Sequence, residues 1–316
     1  MKKIIVTGAT GFLGRHLMPL LKNSYKDSDI LGLSSKDFDL LKFNSVEHML
    51  KKYQPEIIIH LAAYSGGIGA NQKFPADFFF KNIQFISLMF ELAHQFKVKK
   101  IICPIGGCSY PSNAKSPISE EQMWDGYPQI ESAGYSVAKK MALVASESYR
   151  RQYGFDSTIL IPGNMYGEYD NYRESESHVI PAMIRRYYEA KLRGDKEIIM
   201  WGDGSPVRDF VYAGDVAKVF LKFLENNKNI SPVNISSGIK TSIKELAEII
   251  KNKMKWNGEI KWDITKPNGQ LVKIFDTKKL NKIIGISCET KLNDGIDKTI
   301  NWFQSNYLNK TDNIRL

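Results

Sequence analysis

The spacing of hydrophobic and polar positions changes period regularly along the first half of the chain. Lys3–Val6 is a short apolar run of the kind a strand buried on both faces requires. Ile30–Leu33, Glu56–Leu61, Lys100–Ile105 and Ser157–Ile161 repeat it. Between these runs the apolar residues recur at helical spacing: one amphipathic stretch extends through Leu21, and others cover Ser45–Lys52, Phe78–Phe96 and Tyr135–Tyr153. Strands alternating with helices at this interval predict βαβ units in a parallel, doubly wound α/β sheet. After about Pro162 the pattern loosens and Gly, Pro, Asn, Tyr and Arg become frequent. Arg208–Tyr212 reads as a strand followed by a helix led by Asp215. Thr241–Met254 reads as a helix with Thr241 or Ser242 as N-cap and Glu245 near its third position. Lys278–Ile284 and Leu292–Tyr307 read as closing helices. The predicted organisation is a first domain over 1–165 and a smaller mixed α/β region over 166–316, with about 207–230 packing back on the first domain. With no flexible linker or repeat between them, a cleft is expected where the two meet.

Composition narrows the class. A chain of 316 residues with 43% hydrophobic and 25% charged positions suits a globular protein. No run approaches the roughly 18 apolar residues of a membrane span. The apolar start at Ile4-Ile5-Val6 is broken by Thr7, Gly8, Thr10 and Gly11 too early for a signal peptide, so a cytoplasmic protein with no membrane partner is expected. Cys103, Cys108 and Cys288 are an odd set without Cys-x-x-Cys spacing, which argues against a disulfide framework and a zinc site; no metal is expected. The net charge of +10 raises the question of nucleic acid. The lysines of 97–100 and 251–255 are interleaved with apolar residues, and no arginine-rich arm occurs, so they read as solvated surface and no nucleic-acid partner is expected. A positive cleft would also attract a diphosphate.

The chemistry begins at Gly8-x-x-Gly11-x-x-Gly14, directly after the first strand and opening a helix. The first glycine permits the tight turn, the second lets backbone approach a pyrophosphate, and the third allows helix–sheet contact, with the helix N-terminus facing the phosphates. Gly8, Thr10, Gly11, Phe12, Leu13 and Gly14 are therefore candidate cofactor-binding residues in a Rossmann-type sheet, joined by Leu61, Ala62 and Ala63 after the third strand. The second strand ends in Ser34-Ser35-Lys36 rather than in a carboxylate. Lys36, with Arg15, suits the 2′-phosphate of NADP, whereas Asp37 and the serine hydroxyls keep NAD open. Asp39 and Leu40 lie where an adenine edge could be contacted.

Tyr135 and Lys139 are four residues apart on a predicted helix, hence on one face with side chains about 5–6 Å apart. A lysine ammonium there favours the phenolate of a tyrosine that ordinarily titrates at about 10, and such a tyrosine can exchange a proton with a sugar hydroxyl or ketone.

Together these residues resemble the extended short-chain dehydrogenase/reductases, the NAD-dependent epimerase/dehydratase family. Within that family the chain is similar to the branch of GDP-fucose synthases and their relatives over nearly its whole length. His60-Leu61-Ala62-Ala63 with Ser65–Asn71 and Pro75–Phe78 carries the resemblance. So do Ser177–Ala182 with Arg185-Arg186, Trp201–Phe210, and Lys266-Pro267-Asn268-Gly269. The resemblance implies a nucleoside-diphosphate sugar, GDP-linked, with hydride chemistry at C4, in surface-polysaccharide sugar biosynthesis, by a homodimer formed through two helices that would include Phe78–Phe96 and Tyr135–Tyr153. It implies that Tyr135 is the acid/base and that Lys139 holds the nicotinamide ribose. Cys108 and His178 match the proton-shuttling residues at C3 and C5, His178 standing just before a Val179-Ile180-Pro181 turn. A 4-keto group acidifies the neighbouring C–H bonds, which a thiolate and an imidazole on opposite faces could invert. Arg208 matches a diphosphate-binding arginine. Asn164, Val179 and Trp201 match positions around the substrate, and Arg186 assists; because Arg185 and Arg186 are adjacent, they point differently.

One position departs from the family. The segment Gly106-Gly107-Cys108-Ser109-Tyr110-Pro111 has glycine where the family carries a catalytic Ser or Thr. Loss of a comparable preorganised donor costs about 10²–10³ in rate. Ser109 or Cys108 could substitute, water could fill the space, or catalysis could be weakened. Three functions stay open at this level: a C4 oxidoreductase with C3/C5 epimerisation, a C4 dehydrogenase or reductase without it, and a cofactor-binding scaffold.

Overall fold

The apolar runs become the strands of one parallel sheet. In the computed structural model, residues 2–316 are described apart from 175, 226–231, 267, 310, 312 and 313, so Pro267 of the Lys-Pro-Asn-Gly string lies outside the described residues. The order is β1 (Lys3–Thr7), α1 (Phe12–Ser24), β2 (Asp29–Leu33), α2 (Phe43–Tyr53), β3 (Ile57–His60), α3 (Ile68–Lys73), α4 (Pro75–Gln95), β4 (Lys100–Pro104), α5 (Ala133–Tyr153), β5 (Asp156–Pro162) and β6 (Asn164–Tyr166). It continues with α6 (Val179–Arg193), β7 (Glu197–Trp201), β8 (Val207–Tyr212), α7 (Ala213–Glu225), β9 (Val233–Ile235), β10 (Lys240–Ser242) and α8 (Ile243–Met254). The last elements are β11 (Glu259–Asp263), β12 (Val272–Lys273), α9 (Lys278–Ile284) and α10 (Leu292–Leu308).

The main sheet runs β2-β1-β3-β4-β5-β9 with every pairing parallel. From β1 the chain moves outward to β2 and then crosses back to β3. That reversal opens a crevice beyond the carboxyl ends of β1 and β3, the place where doubly wound sheets bind ligands. Helices α2, α4 and α5 cover one face, through Met49, Leu50, Phe90 and Ala142. Helices α1, α7 and α9 cover the other, through Leu17, Val216, Phe220 and Leu280. Both faces are therefore buried, which is why β1 and β3 read as unbroken apolar runs. Among the described residues no helix is long and apolar enough to cross a membrane.

The second half forms a separate core from α6, α8 and α10, with Ile184, Tyr187, Ile250 and Phe303 at its centre. Here β8 pairs with β10 antiparallel and with β6 and β12 parallel, and β7 pairs with β11. Helix α7 packs on α1, so the chain after β8 returns to the first sheet. Ser242 is the N-cap of α8 and its hydroxyl accepts from the Glu245 N–H at 3.0 Å. The expected Val179-Ile180-Pro181 turn is instead the first turn of α6. A proline there costs nothing, because the first-turn N–H groups have no intrahelical acceptor.

Candidate active site

The phosphate-facing turn is built by exclusion of side chains. Gly8 has φ +71°, and a Cβ on it would lie 2.8 Å from the Ala62 backbone nitrogen. A Cβ on Gly14 would lie 2.5 Å from the Gly8 carbonyl oxygen. The turn is closed by the Gly11 N–H donating to the Gly8 carbonyl at 3.0 Å. It is locked to the 61–63 segment through Thr7, whose hydroxyl pairs with His60 Nδ1 at 2.8 Å and accepts from the Ala62 N–H at 3.4 Å. Helix α1 starts beyond it with no side-chain cap and no acidic residue in its first turn. That leaves the positive end of the helix to an anion. The cradle fits a dinucleotide pyrophosphate.

At the end of β2 the carboxylate is already engaged. Ser34 donates to Asp37 Oδ2 from both its N–H and its hydroxyl, at 2.8 and 2.7 Å, and these bonds hold the Asp37 pKa below its usual range. Asp37 is thus directed into its own turn, while Lys36 stands exposed beside it. Asp39 Oδ1 accepts from the Leu41 N–H, and Leu40 packs against the core. Arg15 turns away from this strand end: its Nε donates to the Thr10 carbonyl and its guanidinium lies over the Tyr169 ring.

Tyr135 sits in the first turn of α5 and Lys139 one turn later. Phe78 of α4 packs edge-on against the Tyr135 ring, with centroids 6.2 Å apart. Burial raises the Tyr135 pKa above the ordinary phenol value, with Cys108 and then Cys103 adding to the effect. The expected phenolate-favouring influence of Lys139 is not what dominates here. Lys139, only 2% exposed, bears instead on His60 and Cys103. Burial first, and Lys139 second, push His60 down to about 3, so that ring is neutral.

Position 106 does face the tyrosine. A Cβ there would be 3.8 Å from the Tyr135 hydroxyl and 3.0 Å from Cys108 Sγ. Ser109 is not a substitute: it is fully buried and its hydroxyl donates to the Ser136 carbonyl at 3.2 Å. Cys108, half-buried, borders the gap.

His178 is the N-cap residue of α6. Its side chain is 61% exposed, and its Nδ1 lies 3.9 Å from Oδ1 of Asp170, itself 3% exposed. The crowding of surrounding protein lowers the His178 pKa, but Asp170 more than offsets it and the net shift is upward. Gly67 ties this loop to the cofactor half, its N–H donating to the Glu176 carbonyl at 2.9 Å.

Of the remaining expected residues, Asn164 Nδ2 donates to the Asp209 carbonyl, and Val179 begins α6. Arg185 and Arg186 diverge: the first binds Glu189 and the Tyr172 carbonyl, the second donates to the Ile199 carbonyl on β7. Trp201 ends β7 69% exposed, with Lys266 over its ring. Arg208, half-buried, has its pKa lowered by burial against the opposing pull of Asp209.

Three side chains near these residues were given no role by the sequence. Lys273 on β12 has its pKa lowered by burial, against the attraction of Cys108, and Arg208 and Asp209 are its other charged neighbours. Asp209, fully buried, anchors the chain just beyond that strand by accepting from the Phe275 N–H at 3.0 Å. The third is Asp170. Lys273 and Arg208, paired across β12 and β8, thus place two cations beside the Cys108 thiol.

Comparison with known proteins identifies the family and the fold. A sequence model of the NAD dependent epimerase/dehydratase family matches residues 4–236. The chain is 34% identical to GDP-L-fucose synthase 1 of Arabidopsis thaliana, over 98% of this chain and 95% of that one. A GDP-L-fucose synthetase of Naegleria fowleri bound to NADP superposes with a TM-score of 0.90 at 28% identity, over 99% of this chain and 96% of that one. A GDP-6-OMe-4-keto-L-xylo-heptose reductase of C. jejuni superposes with a TM-score of 0.89 at 26% identity, over 96% and 98%.

Proposed function

The chain belongs to the NAD dependent epimerase/dehydratase family, and on that premise we propose that it is an NADP-dependent oxidoreductase that reduces C4 of a GDP-linked 4-keto sugar and exchanges protons at C3 and C5. The observation that carries this reading is the convergence of Tyr135, Cys108 and position 106 within one small volume at the end of the parallel sheet. Similarity to GDP-fucose synthases and a GDP-heptose reductase supports the substrate class.

When bound, NADPH supplies the hydride that reaches C4. Residues 8–14 and the α1 N-terminus hold its pyrophosphate, Lys36 meets the 2′-phosphate with Ser34 and Ser35 beside it, and residues 61–63 flank it. Lys139 holds the nicotinamide ribose. Tyr135 donates its hydroxyl proton to O4, so that carbonyl, hydride and proton balance as an alcohol. Cys108 and His178 remove and return protons beside the ketone. Arg208 and Arg186 bind the diphosphate, with Asn164, Val179 and Trp201 along the sugar and nucleotide. We place the enzyme in the cytoplasm as a homodimer formed through α4 and α5, which lie side by side and expose Phe79, Phe80 and Val144.

Turnover in heavy water tests this. With NADPH and a GDP-linked 4-keto hexose, the product is expected to carry deuterium at C3 and C5, and Cys108→Ser or His178→Asn to lose one of the two labels. Reduction with neither label would leave a C4 reductase without epimerisation, the reading closer to the heptose reductase.

Gly106→Ser asks what the missing hydroxyl is worth. The new Cβ requires Cys108 Sγ to give by a few tenths of an ångström, and it brings a hydroxyl beside Tyr135. The expected result is a gain in C4 reduction rate on the order of tenfold or more, measured as NADPH consumption. An unchanged or lower rate would show that the chain has no vacancy for a third donor.

A further inference from the structure

The Asp170 carboxylate beside His178 is held from a distant part of the chain. Arg315 Nη2 donates to the Tyr169 carbonyl at 2.9 Å, and the Tyr172 N–H donates to the Arg315 carbonyl at 2.9 Å. Asn171 and Arg315 form a parallel bridge between those two bonds. Arg315 therefore holds the backbone on both sides of Asp170, with its guanidinium before the carboxylate and its main chain after it. The carboxylate needs that support. Its Oδ1 accepts from the Asn171 N–H at 2.7 Å and faces His178, while its Oδ2 is buried with no hydrogen-bond partner among the described residues. A buried carboxylate oxygen without a partner is costly, and a free loop would turn it to solvent.

We propose that Arg315 is a positioning residue for His178 through its guanidinium: the bond to the Tyr169 carbonyl seats residues 169–172 so that Asp170 is held against Nδ1 of the imidazole, leaving Nε2 as the ring nitrogen for the substrate. The proposal rests on the reading of His178 as a proton-transfer group. The charged surroundings are specific. Asp170 and Arg315 act on His178 with opposite sign; Arg173, Arg15 and Glu176 act on Arg315; Glu168 and Asp170 act on the neighbouring His16.

Two roles of Arg315 have opposite consequences, which makes the test decisive. As a nearby positive charge it lowers the His178 pKa, so its removal alone would raise the titration midpoint. As a clamp it keeps Asp170, the group that raises that pKa, in place, so its removal would lower the midpoint. The experiment is an NMR titration of the full chain labelled at histidine nitrogen. It has five histidines, and the His178 signal is identified by its loss in His178→Asn. The expected result is a lower midpoint in Asp170→Asn and in Arg315→Gln, with Arg315→Lys retaining the wild-type value and all variants keeping the wild-type circular dichroism. A higher or unchanged midpoint in Arg315→Gln overturns the proposal. An unchanged midpoint in Asp170→Asn overturns the pairing beneath it. Heavy-water labelling at C3 and C5 separates this from the functional reading. Labelling absent from the wild type, with the midpoint still lowered in Arg315→Gln, would fault the reading of His178. Labelling present, with the midpoint unmoved, would fault the clamp.

Discussion

Replacing Tyr135 with Phe is expected to lower the rate of C4 reduction by about 10²–10⁴, the usual worth of a positioned general acid, while leaving cofactor affinity and melting temperature nearly unchanged. The ring keeps its edge-on contact with Phe78, and its place in the first turn of α5 is set by the helix. Only the hydroxyl is lost, and among the described side chains close to it the Cys108 thiol alone offers a weak donor in its place. Ser109 is committed to the Ser136 carbonyl, and position 106 offers no side chain. Cys108 borders the same gap, so a double replacement of Tyr135 and Cys108 separates residual thiol donation from background. NADPH consumption at saturating substrate reads the effect. A rate within threefold of wild type would remove Tyr135 from the chemistry.

Gly8→Val is expected to have the largest structural effect. Its positive φ costs a side-chain residue about 1–2 kcal/mol, and a Cβ 2.8 Å from a backbone nitrogen cannot be relieved by a rotamer change. Adding an overpacking cost of about 1–3 kcal/mol gives a destabilisation of roughly 2–5 kcal/mol. NADP binding should be lost with it, since the same movement separates the turn from the 61–63 segment. Thermal melting with and without NADP checks both effects. A variant that melts like the wild type and still gains stability from NADP would show that the turn does not hold the pyrophosphate.

The first half of the fold was legible because burial on both sheet faces leaves a strand no choice but an apolar run. Val6 and Ile59 are both fully buried. The glycine turn was legible because its mechanical demands are local. Helix α6 was not, since Pro181 looks like a stop when its position within a first turn is unknown. The short strands β6, β9, β10 and β12 have too few residues to show a period; their partners are chosen by tertiary packing. The site divides the same way. Spacing alone placed Tyr135 and Lys139 on one face, but spacing could not reveal that Lys139 bears on His60 and Cys103 while burial governs Tyr135. Lys273 and Arg315 meet their partners across long stretches of sequence, 146 positions in the case of Arg315 and Tyr169. Charged residues in a lysine-rich chain do not announce such contacts.

The proposed reaction delivers hydride to C4 of a GDP-linked sugar. The direct test supplies NADPH deuterated at its transferable position together with GDP-linked 4-keto hexose or heptose, and locates the label by NMR. Deuterium is expected at C4 of the GDP-sugar, one label for each NADPH consumed. Product without label at C4, or no NADPH consumed with either sugar, would contradict it.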